Sequence, residues 1–314
     1  MGLAAVFPGQ GSQSVGMLAE FRGRQEVAEC LGAASEVLGY DLAALISDGP
    51  EEQLNQTEFT QPAMLVAGVA TWRAWLAEGG AAATVMAGHS LGEYSALVCA
   101  EALDFADAVS LVRLRGQLMQ SAVPAGEGAM AAVLGLEDAV VIEVCANAAG
   151  DDVVEAVNFN APGQVVIAGS AEAVTRAVDA ARDAGARKAL PLPVSVPSHC
   201  RLMIPAAEAL EEALAAVEIR PPAIPVVHNV DADTHNEPES IRAALAAQVH
   251  RPVRWVDCVR NMARRGATLF IEPGPGKVLS GLGRRIDRER VFAPVFDAAS
   301  LEKAREQALA AAGG

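Results

Sequence analysis

Residues 84–94, Thr-Val-Met-Ala-Gly-His-Ser-Leu-Gly-Glu-Tyr, constrain the fold of this chain more than any other stretch. Four mainly apolar residues predict the end of a buried strand, residues 88–92 fit the pattern G-x-S-x-G, and residues 91–100 predict a helix. This is the context of a nucleophile elbow, in which a tight turn lifts a serine hydroxyl out of a sheet. Ser90 is therefore the candidate nucleophile, and the alternative is a serine in an ordinary strand-to-helix turn.

Strands that alternate with helices on either side of this turn predict an α/β fold. The pattern indicates an α/β-hydrolase-like parallel sheet with helices on both faces, because the strands are short, apolar and separated by helical segments. Its expected strands are residues 3–7, 84–87, 223–229, 268–272 and 291–295. A long helix is expected at residues 63–78, directly after Pro62.

The stretch between residues 126 and 195 follows a different order. Strand, helix, two strands around Asn160-Ala161-Pro162-Gly163, helix and strand give β-α-β-β-α-β, which is the ferredoxin-like pattern and predicts a small antiparallel sheet with two helices. We therefore expect a large α/β catalytic subdomain of residues 1–125 and 196–314, and an inserted ferredoxin-like subdomain of residues 126–195.

Composition excludes several classes of function. The 24 basic and 39 acidic residues give a net charge of −15, which argues against nucleic acid as a partner. No uninterrupted apolar run approaches 18 residues, so no membrane span is expected, and the N-terminal residues predict a first strand, not a signal peptide. Five widely spaced cysteines without a C-x-x-C pair indicate reduced thiols in a cytoplasmic protein and disfavour a metal site.

A nucleophilic serine needs a base, and five histidines are available: His89, His199, His228, His235 and His250. His89 lies inside the turn, too close in sequence to reach back to Ser90, and is expected to pack or hydrogen-bond beneath it. His199 stands at a loop-to-helix junction where the chain re-enters the large subdomain, a position from which it can overhang a cleft. Position favours His199 and leaves the other three open.

Five motifs occur together and in a recognisable order. They are Phe-Pro-Gly-Gln-Gly-Ser-Gln at 7–13, Gly-His-Ser-Leu-Gly-Glu-Tyr at 88–94, Leu-Arg-Gly at 114–116, Val-Pro-Ser-His at 196–199 and Glu-Pro-Gly-Pro-Gly at 272–276. In this order the chain resembles the acyltransferases of fatty-acid and polyketide synthesis, and most closely the stand-alone bacterial malonyl-CoA:acyl-carrier-protein transacylases. The resemblance spans essentially the whole chain, including the insert.

The resemblance implies roles for the reacting groups. Ser90 would attack the thioester carbonyl, and His199 would take its proton and later return it to the leaving thiol. Backbone N–H groups of Gln10 and Leu91 would hold the oxyanion, which explains why a glycine-flanked loop must approach the elbow.

The resemblance also implies how substrate and base are held. Arg115 would bind the free carboxylate of the malonyl group, since its planar fork can donate two parallel hydrogen bonds. The main-chain carbonyl of Gln248 would orient His199 in place of an aspartate. Ser198 and Met119 are candidates for the lining of the acyl pocket, and methylmalonyl is an open alternative to malonyl.

A ping-pong reaction follows from the resemblance. Malonyl-CoA would acylate the serine, and the phosphopantetheine thiol of acyl carrier protein would take the malonyl group. No cofactor and no metal would be needed. The resemblance also implies a cytoplasmic monomer. Because acyl carrier protein is acidic, a basic segment is the docking hypothesis, and solvated helix faces are the alternative. This C-terminal basic segment comprises Arg264, Arg265, Lys277, Arg284, Arg285, Arg288 and Arg290.

Three other functions compete with this interpretation. A serine hydrolase, such as a thioesterase or esterase, shares the elbow, but its usual order places the histidine near the C-terminus, whereas 115 residues follow His199. The acyl-loading subunit of a malonate decarboxylase shares the motifs and differs in its carrier. A scaffold that only binds carrier protein would not need Ser90, His199 and Arg115 together.

Overall fold

The computed structural model describes residues 2–194 and 196–312, with the side chains of residues 311 and 312 left out of the description. Its strands are β1 (Gly2–Phe7), β2 (Val85–Gly88), β3 (Gly128–Leu134), β4 (Val154–Ala161), β5 (Gln164–Ser170), β6 (Lys188–Pro191), β7 (Val226–Val227), β8 (Ala267–Pro273) and β9 (Val291–Val295). Its α-helices are α1 (Gln25–Leu38), α2 (Leu42–Asp48), α3 (Glu51–Leu54), α4 (Thr57–Ala77), α5 (Gly92–Cys99), α6 (Phe105–Ser121), α7 (Asp138–Ala149), α8 (Ala171–Asp183), α9 (Ile204–Ala215), α10 (Pro238–His250), α11 (Trp255–Arg264), α12 (Val278–Ile286) and α13 (Ala298–Ala312).

Five of these strands form a parallel sheet in the order β7-β2-β1-β8-β9. Side chains alternate across β1, where Leu3, Ala5 and Phe7 join one hydrophobic core and Ala4 and Val6 join another. The two cores lie on opposite faces of the sheet, so its central strand is buried on both sides. The elbow turn follows β2, next to the centre of the sheet.

The other four strands form an antiparallel sheet in the order β4-β5-β3-β6. In chain order, β3, α7, β4, β5, α8 and β6 give the expected β-α-β-β-α-β succession. Helices α7 and α8 share one hydrophobic core with this sheet. A mixed α/β fold with one parallel and one antiparallel sheet is therefore confirmed, whereas Met1, Ser195 and Gly314, at which the expected subdomain ranges begin or end, lie outside the described residues.

Backbone hydrogen bonds join the antiparallel sheet to the loop before α11. Val253 donates its N–H to the carbonyl of Val157 at 2.8 Å and accepts from the N–H of Phe159 at 3.0 Å. Main-chain contacts therefore fix strand β4 to this loop.

Helix α4 differs from the expected 63–78. It begins at Thr57 and contains Pro62, which cannot donate a backbone hydrogen bond but tolerates the helical φ. The early start places Gln61 on the helix, where its side chain reaches the site described below. One other expectation was too long: the strand at 223–229 is reduced to β7. Helix α9 begins at Ile204, with Pro205 in its first turn.

Within the described residues, no single helix is both long and apolar enough to cross a bilayer. One pair, Gln25–Leu38 with Leu42–Asp48, meets the same criteria jointly but is bent by 116°.

Candidate active site

The turn between β2 and α5 has the geometry of a nucleophile elbow. Ser90 has φ of 52°, a left-handed conformation that is strained for a residue with a side chain. A Cβ atom at Gly92 would overlap the carbonyl oxygen of Phe7, and one at Gly88 would overlap Gly92 itself. The two glycines of the motif are therefore required by close backbone packing, and the predicted turn is present.

The glycine-rich loop after β1 lies against this elbow. A Cβ atom at Gly9 would overlap the carbonyl oxygen of His89, so the loop can approach only as glycine. Gln10 and Leu91 line the same cavity as Ser90. Their backbone N–H groups donate none of the hydrogen bonds found in the described residues, which leaves both available to a ligand.

His199 contacts the Ser90 hydroxyl directly. The distance from His199 Nε2 to Ser90 Oγ is 2.8 Å, and His199 Nδ1 lies 2.7 Å from the main-chain carbonyl oxygen of Gln248. Because a carbonyl oxygen only accepts, Nδ1 carries the proton and Nε2 is free to accept from the serine. His199 is held with φ of 67° and donates its own N–H to the carbonyl of Val249 at 3.0 Å.

The imidazole of His199 is neutral near neutral pH. Burial is the main cause that lowers its pKa from 6.5 to about 3, and the positive charge of Arg115 lowers it further. The hydrogen bond to the Gln248 carbonyl acts in the opposite direction and is outweighed. A neutral imidazole 2.8 Å from a hydroxyl can act as a general base.

Arg115 is a buried cation beside the nucleophile. Its side chain, on α6, is 2% exposed, and its Nη2 donates to Ser90 Oγ at 3.2 Å and to Gln248 Oε1 at 2.9 Å. Its Nη1 donates to Gln61 Oε1 at 2.9 Å, a partner that the sequence did not indicate. Burial lowers the pKa of the guanidinium, whereas Tyr94 and Glu93 raise it. No ion pair involves Arg115 in the part of the chain that the structure describes, so its charge is left for a ligand.

Asn229 supports the elbow from below. It lies two residues after the end of β7, next to His228. Its Oδ1 accepts the N–H of Ser90 at 2.7 Å, and its Nδ2 donates to the carbonyl of Gly88 at 2.7 Å. These two contacts bracket the strained residue and hold it in the left-handed conformation. Sequence reasoning missed this role, because it placed Asn229 as the last residue of the expected strand 223–229.

Three of the other four histidines have side-chain partners elsewhere, and His250, at the C-terminal end of α10, does not line the cavity at Ser90. His89 Nε2 lies 2.7 Å from Asn160 Oδ1, as expected for a histidine that bonds beneath the turn. His228 is buried against Glu93, and His235 is paired with Asp231 at 2.8 Å. The three candidate bases other than His199 are therefore not the ones that the fold brings to Ser90.

A cavity of about 650 Å³ opens at Ser90 between the two sheets. Every predicted site residue except Gln248 lines this cavity, and Gln248 lies behind His199. The predicted acyl-pocket residues Ser198 and Met119 line it as well. Its other lining residues include Met130, Asn158, Asn160, Val166, Leu192, Pro193, Val194 and Val196. In residues 2–194 and 196–312, no group of three or more His, Cys, Asp or Glu side chains is arranged to hold a metal ion.

Comparisons with known proteins agree with this geometry. Residues 5–290 match the family model described as the acyl transferase domain. The malonyl CoA-acyl carrier protein transacylase of Escherichia coli (strain K12) is 56% identical over 284 residues, 90% of this chain and 92% of that protein. A crystal structure of acyl-carrier-protein S-malonyltransferase from Burkholderia pseudomallei 1710b superposes with a TM-score of 0.96 at 54% identity, covering 98% of this chain and 100% of that one. A structure of a type II PKS acyl-carrier protein in complex with its malonyl-transacylase gives a TM-score of 0.96 at 52% identity, covering 98% and 100%.

Proposed function

The chain belongs to the acyl transferase domain family, and from that membership we propose that it transfers malonyl groups from malonyl-CoA to acyl carrier protein. The chain is an acyltransferase. One observation carries the choice of acyl group: the buried Arg115 guanidinium lies 3.2 Å from Ser90 Oγ and forms no ion pair within the described residues. A buried cation that forms no direct ion pair is costly, and an acyl group that ends in a carboxylate supplies a direct partner.

We propose Ser90 and His199 as the reacting pair. His199 Nε2 takes the hydroxyl proton as Ser90 Oγ forms a bond to the thioester carbonyl carbon, and the tetrahedral intermediate then expels the CoA thiolate, which takes that proton from the imidazolium. The carbonyl of Gln248 stabilises the imidazolium by accepting from Nδ1. A thiolate leaves more readily than an amine, so a carbonyl in place of an aspartate suffices for this exchange.

The oxyanion is assigned to the backbone N–H groups of Gln10 and Leu91. Both line the cavity at Ser90, and both lack an acceptor within the described residues. Leu91 also stands at the N-terminal end of α5, where the helix dipole favours negative charge. Backbone donors on a rigid elbow cost no reorganisation when the charge develops.

The second half-reaction repeats these steps with a different thiol. The pantetheine thiol of acyl carrier protein loses its proton to His199, attacks the malonyl ester and leaves Ser90 free again, which is a ping-pong sequence. The ester must be protected from water between the two steps, and the apolar side chains of Met130, Val166 and Leu192 on one wall of the cavity suit that requirement. The serine-hydrolase alternative would leave Arg115 without a role, because an uncharged ester offers it no counter-ion.

Acyl carrier protein is proposed to dock on the C-terminal basic segment, which runs from Arg264 to Arg290 and includes α12. Lys277, Arg284 and Arg288 are exposed, and none of the three forms an ion pair in the described part of the chain. Arg285 in the same segment hydrogen-bonds Gln164 of β5, so the segment reaches the antiparallel sheet. Charge complementarity with an acidic carrier protein would chiefly raise the association rate.

Charge reversal tests the docking proposal. The pair Lys277→Glu and Arg284→Glu is expected to raise the KM for acyl carrier protein while the acylation of Ser90 by malonyl-CoA is unchanged. An equal loss in both half-reactions, or no loss in either, would count against docking at this segment. Arg187→Glu, at an exposed arginine that forms no ion pair within the described residues, is the matched control for charge reversal outside this segment.

Intact-protein mass spectrometry after brief incubation with malonyl-CoA tests the function itself. The protein is expected to gain one malonyl unit, and Ser90→Ala is expected to gain none. Subsequent addition of acyl carrier protein should remove the unit and malonylate the carrier. Release of free CoA and malonate without an adduct would identify a hydrolase instead.

We further propose that residues 126–195 are an inserted ferredoxin-like subdomain and that residues 1–125 and 196–314 form an α/β-hydrolase-like catalytic subdomain. The strand order β4-β5-β3-β6 and the parallel order β7-β2-β1-β8-β9 support this division. A cytoplasmic, monomeric enzyme completes the proposal, and sedimentation equilibrium of the purified protein tests the monomer.

A further inference from the structure

Glu93 is a buried carboxylate in the first turn of α5, three residues beyond the nucleophile. It is 0% exposed, and no lysine or arginine pairs with it within the described residues. Its Oε1 accepts from His228 Nδ1 at 2.8 Å, and its Oε2 accepts from the backbone N–H of Asn229 at 2.9 Å and from Gln248 Nε2 at 2.8 Å. Three donors therefore satisfy a charge that the reaction scheme above does not use.

The side chain of Gln248 connects this carboxylate to Arg115. A carboxylate only accepts and a guanidinium only donates, so the Gln248 amide can satisfy both in one orientation: Nε2 towards Glu93 and Oε1 towards Arg115. Arg115 lies beyond the amide, with a distance of 2.9 Å from its Nη2 to Gln248 Oε1. The amide of Gln248 thus separates the Glu93 carboxylate from the Arg115 guanidinium and hydrogen-bonds both.

This arrangement leaves part of the guanidinium unoccupied. Of its five N–H groups, Gln61 takes one from Nη1, and Gln248 and Ser90 take those of Nη2. Nε is buried without a partner. If Glu93 paired with Arg115 directly, it would occupy the fork that the substrate carboxylate needs. The amide instead fixes the guanidinium while leaving donors available.

We propose that Glu93 is a positioning residue for recognition of the acyl carboxylate, acting through the side-chain amide of Gln248 to hold Arg115 in place. The proposal rests on the proposed malonyl transfer and adds a function to Gln248 beyond its main-chain carbonyl. It also separates two contributions of Glu93. The contact of Glu93 with Asn229, and the hydrogen bond that Gln248 Nε2 donates to the Ser90 carbonyl at 3.0 Å, support the nucleophile and affect every acyl group. The contact of Gln248 Oε1 with Arg115 affects acyl groups that Arg115 binds.

Two acyl donors distinguish these contributions. The test measures acylation of Ser90 by malonyl-CoA and by acetyl-CoA, which lacks the carboxylate, from time courses of intact mass. In Glu93→Met and in Gln248→Met, acylation by malonyl-CoA is expected to fall roughly ten- to hundredfold more than acylation by acetyl-CoA. Methionine matches the length of both side chains and keeps the Gln248 carbonyl for His199. Glu93→Gln retains an oxygen that can accept from Gln248 and is expected to restore most of the malonyl preference.

A matched control removes another of the three partners of the same carboxylate. His228→Ala leaves Oε2 and its contact with Gln248 intact, so it is expected to lower stability without changing the malonyl-to-acetyl ratio. Equal losses for both donors in the methionine variants would overturn the proposal, because Glu93 would then only support the fold. If Glu93→Met does not fold, Gln248→Met decides alone, and an unchanged ratio there would likewise overturn it.

The variants also form a double-mutant cycle. If Glu93 acts through Gln248, the loss of malonyl preference in the double variant Glu93→Met/Gln248→Met should equal that of either single variant, whereas additive losses would contradict the proposal. Wild-type protein that acquires no malonyl unit would instead refute the proposed function, an outcome distinct from a wild-type ratio in the variants.

Discussion

The two walls of the cavity at Ser90 differ in charge. The wall built from the parallel sheet and its helices carries Arg115 and His199, and Glu93 lies buried behind it. The wall built from the antiparallel sheet contributes neutral side chains, among them Met130, Asn158, Asn160 and Val166. Chemistry and recognition of charge are therefore concentrated on one wall, and the other shapes the cavity and excludes water.

The walls also differ in backbone strain. Ser90 and His199 both adopt left-handed conformations, with φ of 52° and 67°, each at a cost of about 1 kcal/mol or more. Ser90 donates its N–H to Asn229 Oδ1, His199 donates its N–H to the Val249 carbonyl, and these hydrogen bonds hold both residues there. The difference between the walls teaches that the reacting groups are fixed by their own side of the cavity, so the opposite wall is free to vary in shape.

The largest expected effect comes from the charged wall. His199→Ala removes the group that accepts the serine proton, so acylation by malonyl-CoA is expected to fall roughly 10²- to 10⁴-fold. Stopped-flow measurement of CoA release checks this value. His235→Ala, which removes a histidine paired with Asp231 on the surface, is the control and should retain wild-type acylation. A comparable loss in the control would show that the fold, not the base, was damaged.

Arg115→Ala tests the recognition of charge by the same wall. A charge-assisted contact contributes about 1.5–3 kcal/mol, so acylation by malonyl-CoA should fall by about a hundredfold. Acylation by acetyl-CoA should change much less, because no carboxylate needs the guanidinium. The kcat/KM ratio for the two donors is the measurement. Arg113→Ala, on the same helix but bonded to the Leu38 carbonyl, is the matched control.

Much of this charged wall could be predicted from the sequence. The order of five motifs indicated Ser90, His199, Gln10 and Arg115, because a motif records which residue types a reaction needs at a fixed local spacing. The parallel sheet followed from apolar strands alternating with helices. These are properties of short segments, and short segments are what a sequence displays directly.

The polar residues that hold Arg115 and Ser90 from behind the charged wall could not be predicted in the same way. Gln61 on α4 is 54 residues from Arg115, and Asn229 is 139 residues from Ser90. Polar residues of these types usually lie on surfaces or in turns, so nothing local distinguishes those that become buried. Because a proline usually precedes or begins a helix, Pro62 led to an expected start of α4 at residue 63, beyond Gln61. Only the packing of distant elements brings such partners together.

The neutral wall should give a smaller and unselective effect. Asn160→Ala removes the partner of His89 Nε2 beneath the elbow, and loss of one such hydrogen bond is expected to slow acylation about threefold. Malonyl-CoA and acetyl-CoA should be affected equally, since Asn160 carries no charge. A loss confined to malonyl-CoA would break the comparison by giving the antiparallel sheet a part in recognising the carboxylate.

The smallest effect on the rate of acylation is expected from a change of pH. The reason is the burial of His199 between the two walls. Burial, with a further contribution from Arg115, lowers the pKa of His199 from 6.5 to about 3. The folded enzyme thus keeps its base neutral at pH 5, where an exposed histidine is mostly protonated. The unfolded chain binds this proton near pH 6.5, so stability from the neutral imidazole is complete above that pH and declines as the pH falls towards 3.

The rate of acylation is therefore expected to vary by less than about twofold between pH 5 and pH 8, when measured as kcat/KM for malonyl-CoA, which reports groups of the free enzyme. Over the same range the urea midpoint should fall towards acid pH, and His199→Gln should remove part of that slope. A rate that halves near pH 6.5 would contradict a buried, neutral base. It would mean that the neutral wall admits water to His199, and the division between the walls would then be one of charge alone.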